Sequence, residues 1–507
     1  MEEIQKAGAL TKANELTLEQ IQDFKGKYPK QLWYLFLSEM WERFSFYGMR
    51  GMLTIFMIDK AQLNMSDYDA NLQYGATQAF VYTLAFVGGL FADKILGFRK
   101  SIFWCGFLMI LGSFILAIAP KELFYIGISF TIVGTGFFKP NISTMVGSLY
   151  SKDDPRRDAG FGLFYSGINI GALLGGAICV WLGKHYSWNA AFSCAGIVMT
   201  ISLLIFIFTK RTLGPIGLSP LANKFSPGKI RTYDIMVYAG SLMVIPLILV
   251  LVSVSKYTDM FMYTVGPLTL VYIIYEAFKY NKVERQKLLA AMIFIIFSIF
   301  FWAFFEQSGG SLNIFAEHNL TDKVVGLSID PNVINNSSNS FFVILFSPIV
   351  GLLWLWLNKR KVEPNTVVKF GLGFLFLSVA FYVFYYTRFF ADQNGVTSLN
   401  VFTLAYLVIT VGELCLSPIG LSIMTKLSPK PMHGVMMGMW FLASAYGQYA
   451  AGLLGAGMTT VNEKASLTEK LMSYTEGYKQ LSIYALIAGV LLIVLSPLIR
   501  KLMHEVH

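Results

Sequence analysis

The sequence predicts an all-α integral membrane protein of about fourteen transmembrane helices: two six-helix bundles with a two-helix insertion between them. Three observations predict it. Charge is scarce: Asp, Glu, Lys and Arg make up 14% of the 507 residues, where soluble domains carry about 25%. Apolar residues come in runs: 247–254, 290–305 and 341–357 are nearly free of charge, and about 20 such residues cross a bilayer. Period-2 alternation is absent, which excludes a closed barrel and leaves helices to satisfy the backbone. Aromatic residues reach 15%, with 43 Phe and 26 Tyr, as lipid-facing surfaces and interfacial belts require.

Residues 1–30 are polar and mixed in charge, without an apolar signal core, and read as a cytosolic tail with an amphipathic helix over 16–24. Hydropathy and turn signals then place spans at 31–58, 71–92, 100–119, 122–148, 159–183, 189–209, 233–254, 260–280, 288–316, 334–358, 366–387, 398–426, 434–460 and 477–503. The first six make an N-terminal bundle, 31–209. A basic linker with two extra spans covers 210–287, and 288–507 holds the C-terminal bundle and a short tail. Cys105, Cys179, Cys194 and Cys415 all fall inside spans, which argues against disulfides and a zinc site.

Alternate loops are rich in cations: Lys94, Arg99 and Lys100; Lys152, Arg156 and Arg157; Lys210 to Arg231; Lys279 to Lys287; Lys359 to Lys361; Lys426 and Lys430. The opposite loops carry single cations such as Lys60, Lys121, Lys184, Lys256 and Arg388. By the positive-inside rule the rich side is cytoplasmic, and an even number of spans puts both termini there. The same rule accounts for the net charge of +10 without invoking nucleic acid.

The halves echo each other faintly, as Trp41-Glu42-Arg43-Phe44 against Phe305-Glu306-Gln307-Ser308 and Gly162-Leu163-Phe164-Tyr165 against Gly438-Met439-Trp440-Phe441. After the second span comes Gly89-x-x-x-Asp93-x-x-x-Gly97-Phe98-Arg99-Lys100. Its glycines allow a tight turn, and Asp93 can sit near a helix N-terminus or pair with Arg99. This resembles the loop signature of the major facilitator superfamily, whose substrate sites lie between two six-helix halves at mid-membrane.

Ionisable residues inside spans cost several kcal/mol and usually mark a pathway. Glu39, Glu42 and Arg43 share one helix face at i, i+3 and i+4. Arg50, eleven residues from Glu39, shares that face about 16 Å away. Such a stripe lines a hydrated cavity or pairs within the bundle. Lys139, Glu306 and Glu413 lie in three further spans. Three cations against four carboxylates leave one carboxylate over even after perfect pairing, and such a group takes a proton. Glu42 and Glu306 are the candidates for this coupling proton. Both signs of charge, with Tyr47, Tyr82, Asn141, Asn169, Trp302, Asn339, Trp440 and Ser444 in adjoining spans, suit a zwitterion such as a dipeptide. Its charged ends lie about 7 Å apart when extended. Arg or Lys would take the carboxylate, and Glu with Asn the amine.

Four motifs then resemble one family, the proton-dependent oligopeptide transporters. Glu39-Met40-Trp41-Glu42-Arg43-Phe44-Ser45-Phe46-Tyr47-Gly48 is similar to its ExxERFxYYG signature, and Phe161 to Gly171 carries the FYxxINxG core. Gly136-Phe137-Phe138-Lys139-Pro140-Asn141 and Gly412-Glu413 through Ser417-Pro418 to Gly420 also match. The additional helix pair resembles prokaryotic members. The resemblance implies a proton-coupled symporter importing di- and tripeptides by alternating access, driven by the proton gradient without a cofactor. It implies a functional monomer in the bacterial inner membrane.

It further implies roles. Glu39, Glu42 and Arg43 would form the proton-coupling triad, with Arg43 also near the peptide carboxylate. Lys139 would be the second cation for that carboxylate and would pair with Glu413 when the site is empty. Asn169, Asn339 and Glu413 would hold the amine. Glu306 would pair with Arg50 at the external gate and exchange its proton. Tyr47 and Tyr82 would bond the substrate backbone or carboxylate, while Trp302, Trp440 and Ser444 shape the pockets. Phe46 in place of a Tyr, Phe305 before Glu306, and Ser340 in place of a Pro depart from the pattern.

Rival readings are the same fold with nitrate, a drug-like molecule or a modified amino acid as substrate. An ATP-driven pump lacks its GxxxxGK[ST] loop here. An intramembrane hydrolase lacks a nucleophile constellation, the five His being placed in loops or at the tail.

Overall fold

The computed structural model describes residues 16–137, 141–151, 153–222, 224–416, 420–460 and 465–504. A short helix α1 (Leu18–Gln22), closed by a Thr17–Gln20 capping box, is all that forms of the expected 16–24 helix. Six crossings follow: α2 (Lys30–Ile58), α3 (Asp67–Phe91), α4 (Phe98–Ile118), α5 (Phe124–Gly136) with α6 (Asn141–Ser148), α7 (Arg157–His185) and α8 (Trp188–Thr209). Next comes a hairpin of α9 (Pro227–Ser253) and α10 (Ser255–Ala277). The last six crossings are α11 (Lys282–Phe305) with α12 (Ser311–Asn319), α13 (Pro331–Lys359), α14 (Thr366–Tyr386), α15 (Leu399–Leu416) with α16 (Gly420–Leu427), α17 (His433–Gly457) and α18 (Leu467–Met503).

Among the described residues, eleven helical segments are long and apolar enough to span a membrane by length and composition. Three further crossings complete the fourteen. Helix α2 holds Glu39, Glu42, Arg43 and Arg50, the α5–α6 crossing is described in two pieces, and α17 is diluted by glycine, Tyr and Gln. Helix starts follow local signals. Ser66, Ser187 and Asn281 accept the backbone N–H of Asp69, Ala190 and Glu284, and Ser466 with Glu469 forms a capping box.

Two local features refine the expected all-α fold. The single crossing read over 288–316 has an interrupted helix: α11 stops at Phe305, a 3-10 turn covers Glu306–Gly309, and α12 restarts at Ser311. The loop after α12 adds a small hairpin, in which Lys323–Val324 pairs antiparallel with Leu327–Ser328. Val325 and Gly326 between them both have positive φ, 50° and 81°, the backbone that a two-residue hairpin turn requires.

With fourteen crossings, both described termini lie at one end, called basal here; the opposite end is distal. Leu16 packs on Gly214 of the linker, and His504 faces Gln286 at the start of α11. Helices approach closely where side chains are missing. A Cβ on Gly171 would lie 2.0 Å from the Met40 carbonyl oxygen, and one on Gly175 2.1 Å from that of Phe44. Thus α7 lies against the backbone of α2, the small-residue packing that substitutes for a hydrophobic drive in lipid. Between the halves, α3 meets α17 with Gly75 opposite Gly452, where a Cβ on Gly75 would lie 2.7 Å from the Gly452 Cα. Helix α7 meets α13 with Gly176 against the Asn336 carbonyl.

Gly175→Val is expected to cost about 1–3 kcal/mol through overpacking. It would lower the unfolding temperature of the purified protein, while Gly351→Ala, in open space, leaves it unchanged. Equal unfolding temperatures for the two variants would contradict the α2–α7 contact.

Candidate functional site

The charged stripe of α2 is divided between two places. Towards the basal end, Arg43 Nε lies 2.8 Å from Glu39 Oε1 and 3.2 Å from Glu42 Oε2. All three residues are buried in the bundle. Two turns further, Arg50 reaches across to the other half: its Nη2 pairs with Glu306 Oε2, and its Nε donates to the Tyr74 hydroxyl at 2.7 Å. The Arg50 guanidinium also lies 5.8 Å from the centre of the Tyr47 ring. Glu306 can make this contact because it sits in the break after α11. There the chain leaves its helical path and turns a carboxylate towards α2. Interrupted helices of this kind carry the substrate and ion sites of many transporters.

Below this pair lies a cavity of about 130 Å³ between the halves. Tyr47, Arg50 and Tyr82 face it from one half; Trp302, Phe305, Glu306, Asn339 and Glu413 face it from the other. Asn339 Nδ2 donates to Glu413 Oε2 at 2.8 Å and lies 3.2 Å from Thr410 Oγ1. Among the described residues Glu413 has this amide partner but no ion pair with a cation. Its charge can be met by a ligand's ammonium group or by a proton. The cavity thus offers a cation at one point, carboxylates at two, and aromatic walls.

The structure therefore brings together Tyr47, Arg50, Tyr82, Trp302, Glu306, Asn339 and Glu413 from the residues singled out in the sequence. Arg43, Asn169, Trp440 and Ser444 are not among the residues lining this cavity. Asn169 Nδ2 donates to the Tyr165 carbonyl at 3.0 Å and Ser444 Oγ to that of Trp440 at 3.3 Å, each one helical turn back. Lys139, with Ser417 and Pro418 of the fourth motif, lies outside the described residues. Asn141 is buried and donates to the Phe137 carbonyl.

Sequence reasoning missed an amide cluster. Asn313 Nδ2 crosses between halves to the Gly51 carbonyl at 3.0 Å and Thr54 Oγ1 at 2.7 Å. Its own Oδ1 accepts from Asn332, Asn335 and Asn336 at 2.9 to 3.0 Å. Tyr406 adds a bond to Asn335 Oδ1 at 2.6 Å. The signal was present: Asn332, Asn335, Asn336 and Asn339 fall at i, i+3, i+4 and i+7, one face of α13.

Ion pairs close the distal end outside this cluster. Lys184 of α7 lies 2.6 Å from Glu317 and 2.9 Å from Asp330. Asp67 of α3 lies 3.1 Å from His318 and 2.9 Å from Lys470. Burial pushes the Asp330 carboxyl up, but the hydrogen bond and charge of Lys184 outweigh it and hold it below the usual carboxylate range. The Asp330 carboxylate therefore keeps its charge through the usual carboxylate range and above. His318 is a member of this closure rather than a loop residue. His433, also placed in a loop from the sequence, heads α17 with Nε2 3.0 Å from the Ser428 carbonyl oxygen.

Comparison with known proteins fits this geometry. Residues 99–474 match the model of the POT family, PTR2. The chain is 35% identical over 498 residues to the peptide transporter YePEPT of Yersinia enterocolitica, covering 94% of this chain and 96% of that protein. It is 29% identical over 479 residues to dipeptide and tripeptide permease B of Xenorhabdus bovienii, covering 94% and 97%. Among solved structures, a mutant of peptide transporter POT in complex with alafosfalin superposes with a TM-score of 0.81 at 30% identity, covering 97% of this chain and 100% of that one. The fold is of the major facilitator type, two six-helix bundles with an inserted helix pair. The chain belongs to the POT family and is a transporter rather than an enzyme.

Proposed function

We propose that this transporter carries di- and tripeptides together with protons across a bacterial inner membrane, its basal end in the cytoplasm. The observation that carries the reading is the Arg50–Glu306 pair, which joins the two halves beside a cavity where Glu413 is held by Asn339. The names of the relatives support the substrate, and the basic loops at the basal end support the sidedness. The working units are residues 31–209 and 288–507, joined by 210–287, with a monomer as the functional form.

In this reading the peptide ammonium group meets Glu413 and the side-chain oxygen of Asn339. Arg43, from the basal side of the cavity, attracts the carboxylate, and Lys139 is the second cation for it. Tyr47, Tyr82 and Trp302 present ring faces that accept varied side chains without reading them. Asn169, Trp440 and Ser444 approach the peptide once the cavity reshapes around it.

Protonation of Glu306 removes its charge and with it the ion pair to Arg50, which releases the cavity's distal roof. Return of that proton to the basal side, by way of the Glu39–Glu42–Arg43 cluster, resets the closure. A membrane potential of 100 mV supplies about 2.3 kcal/mol per charge, and one pH unit about 1.4 kcal/mol. One or two protons therefore suffice to concentrate a neutral dipeptide.

The first test is uptake of labelled dialanine into proteoliposomes with and without an inward proton gradient. Accumulation is expected with the gradient, and equal uptake without it would remove the proton from the reading. Glu306→Gln is expected to abolish gradient-driven accumulation while retaining exchange of dialanine across the vesicle. Full accumulation in this variant would send the coupling role elsewhere.

Asn339→Ala and Glu413→Gln should each raise the KM for dialanine about tenfold, the loss of one charge-assisted hydrogen bond of about 1.5 kcal/mol. N-acetyl-dialanine, which lacks the ammonium group, should compete poorly with dialanine in the parent and no worse in the variants. An unchanged KM in both variants would place the peptide amine away from this pair.

A further inference from the structure

The helix pair between the halves is fastened at both of its sides. Helix α9 is tied to α4 of the first half. Lys100 pairs with Asp234, Trp104 Nε1 donates to Ser241 Oγ at 2.8 Å, and the Trp104 ring stacks on Tyr238 at 4.4 Å. Helix α10 is tied to α17 of the second half. The Tyr449 hydroxyl donates to Asp259 Oδ1 at 2.5 Å, and that of Tyr446 donates to the Met262 carbonyl. Gly266 makes room for this approach, since a Cβ there would lie 2.4 Å from the Tyr446 hydroxyl.

Helix α10 also touches α3. The Phe261 and Phe80 rings lie 5.1 Å apart, and Ala79, Met262 and Tyr449 form a small buried cluster separate from the main core. Ala79 is one turn from Gly75 and Tyr449 one turn from Gly452. The helix therefore lies along the seam where α3 and α17 meet, next to the glycine contact that joins the halves. Asp259 stands near the distal end of its span, and a charge-assisted bond to a phenol in the opposite half gives its carboxylate a partner.

We propose that the inserted pair is a brace across this seam, in which α9 grips one half and Asp259 of α10 holds Tyr449 of the other. Distal opening separates α3 from α17 and must break or slide that bond. The brace sets the balance between distal-closed and distal-open forms. This rests on the alternating-access reading above, so the test reads conformation directly and needs no peptide.

Spin labels at Lys121→Cys and Gln393→Cys, both exposed distal-loop positions in opposite halves, report the distal distance by pulsed electron resonance. The four native cysteines are replaced and the full chain is placed in lipid nanodiscs. Tyr449→Phe removes the donor while keeping the ring, and Asp259→Ala removes the acceptor. Each is expected to raise the ratio of distal-open to distal-closed populations about three- to twentyfold, the range that single hydrogen bonds in membrane helices support. The double variant should shift no further than either single one, because both remove the same bond. Met260→Ala, an exposed neighbour on α10, should leave the distances unchanged.

Parent-like distances in both single variants would overturn the brace. So would a lowered unfolding temperature with unmoved distances, which marks a merely structural contact. Shifted distances in a protein that takes up no dialanine would keep the brace and remove the peptide reading.

Discussion

The architecture turns on one ion pair in a poor place for ions. Arg50 and Glu306 come from different halves and meet where little water reaches them. Neither is affordable alone at that depth, so each half carries a charge that only the other can neutralise. The rest follows from arranging this meeting. Glycines 171 and 175 let α2 lie close on α7, which fixes the direction in which Arg50 points. The break after Phe305 turns Glu306 out of its helix, and Tyr74 with Ser308 supplies further acceptors for the guanidinium. Breaking a buried pair by discharging one member is a large local change, and a proton is the smallest agent that can make it.

Around that pair the distal closure is layered. The amide cluster on Asn313 joins the halves by neutral hydrogen bonds, and the Lys184 and Asp67 clusters add charged ones nearer the surface. Each layer is modest, since hydrogen bonds between membrane helices average well under 2 kcal/mol. A closure made of many weak contacts can be opened by a few kcal/mol, about what one proton delivers. The inserted helices lie beside these layers at the lipid-facing edge of the seam.

Much of this was legible in the sequence. Fourteen crossings, the inserted pair and the charged stripe of α2 follow from hydropathy and from charges where charges are expensive. The pairing of Arg50 with Glu306 was approached by counting charges and named by resemblance. Other features were hidden for physical reasons. The stop at Phe305 was read through although Gly309 and Gly310 follow it, because the polar residues between them continue a strongly apolar run; in the fold both glycines lie against Tyr74 or Asn71 of α3. The asparagine face of α13 stood in the sequence but was passed over, because neutral amides are not marked by a search for charge inside spans. Tyr74 and Tyr406 carry no charge and no motif, so only their contacts reveal them. Asp259 was passed over because it stands near a span end, where a carboxylate usually needs no partner.

The glycine contact between α3 and α17 has a consequence for leakage. Where Gly75 faces Gly452 the two backbones touch, and no file of water molecules can pass between them. A proton travels along water and hydrogen-bonding side chains, and where the two glycines meet there is room for neither. The same bareness that lets the halves close tightly makes the closed end an insulator. A transporter driven by a proton gradient must not dissipate that gradient while it waits for cargo.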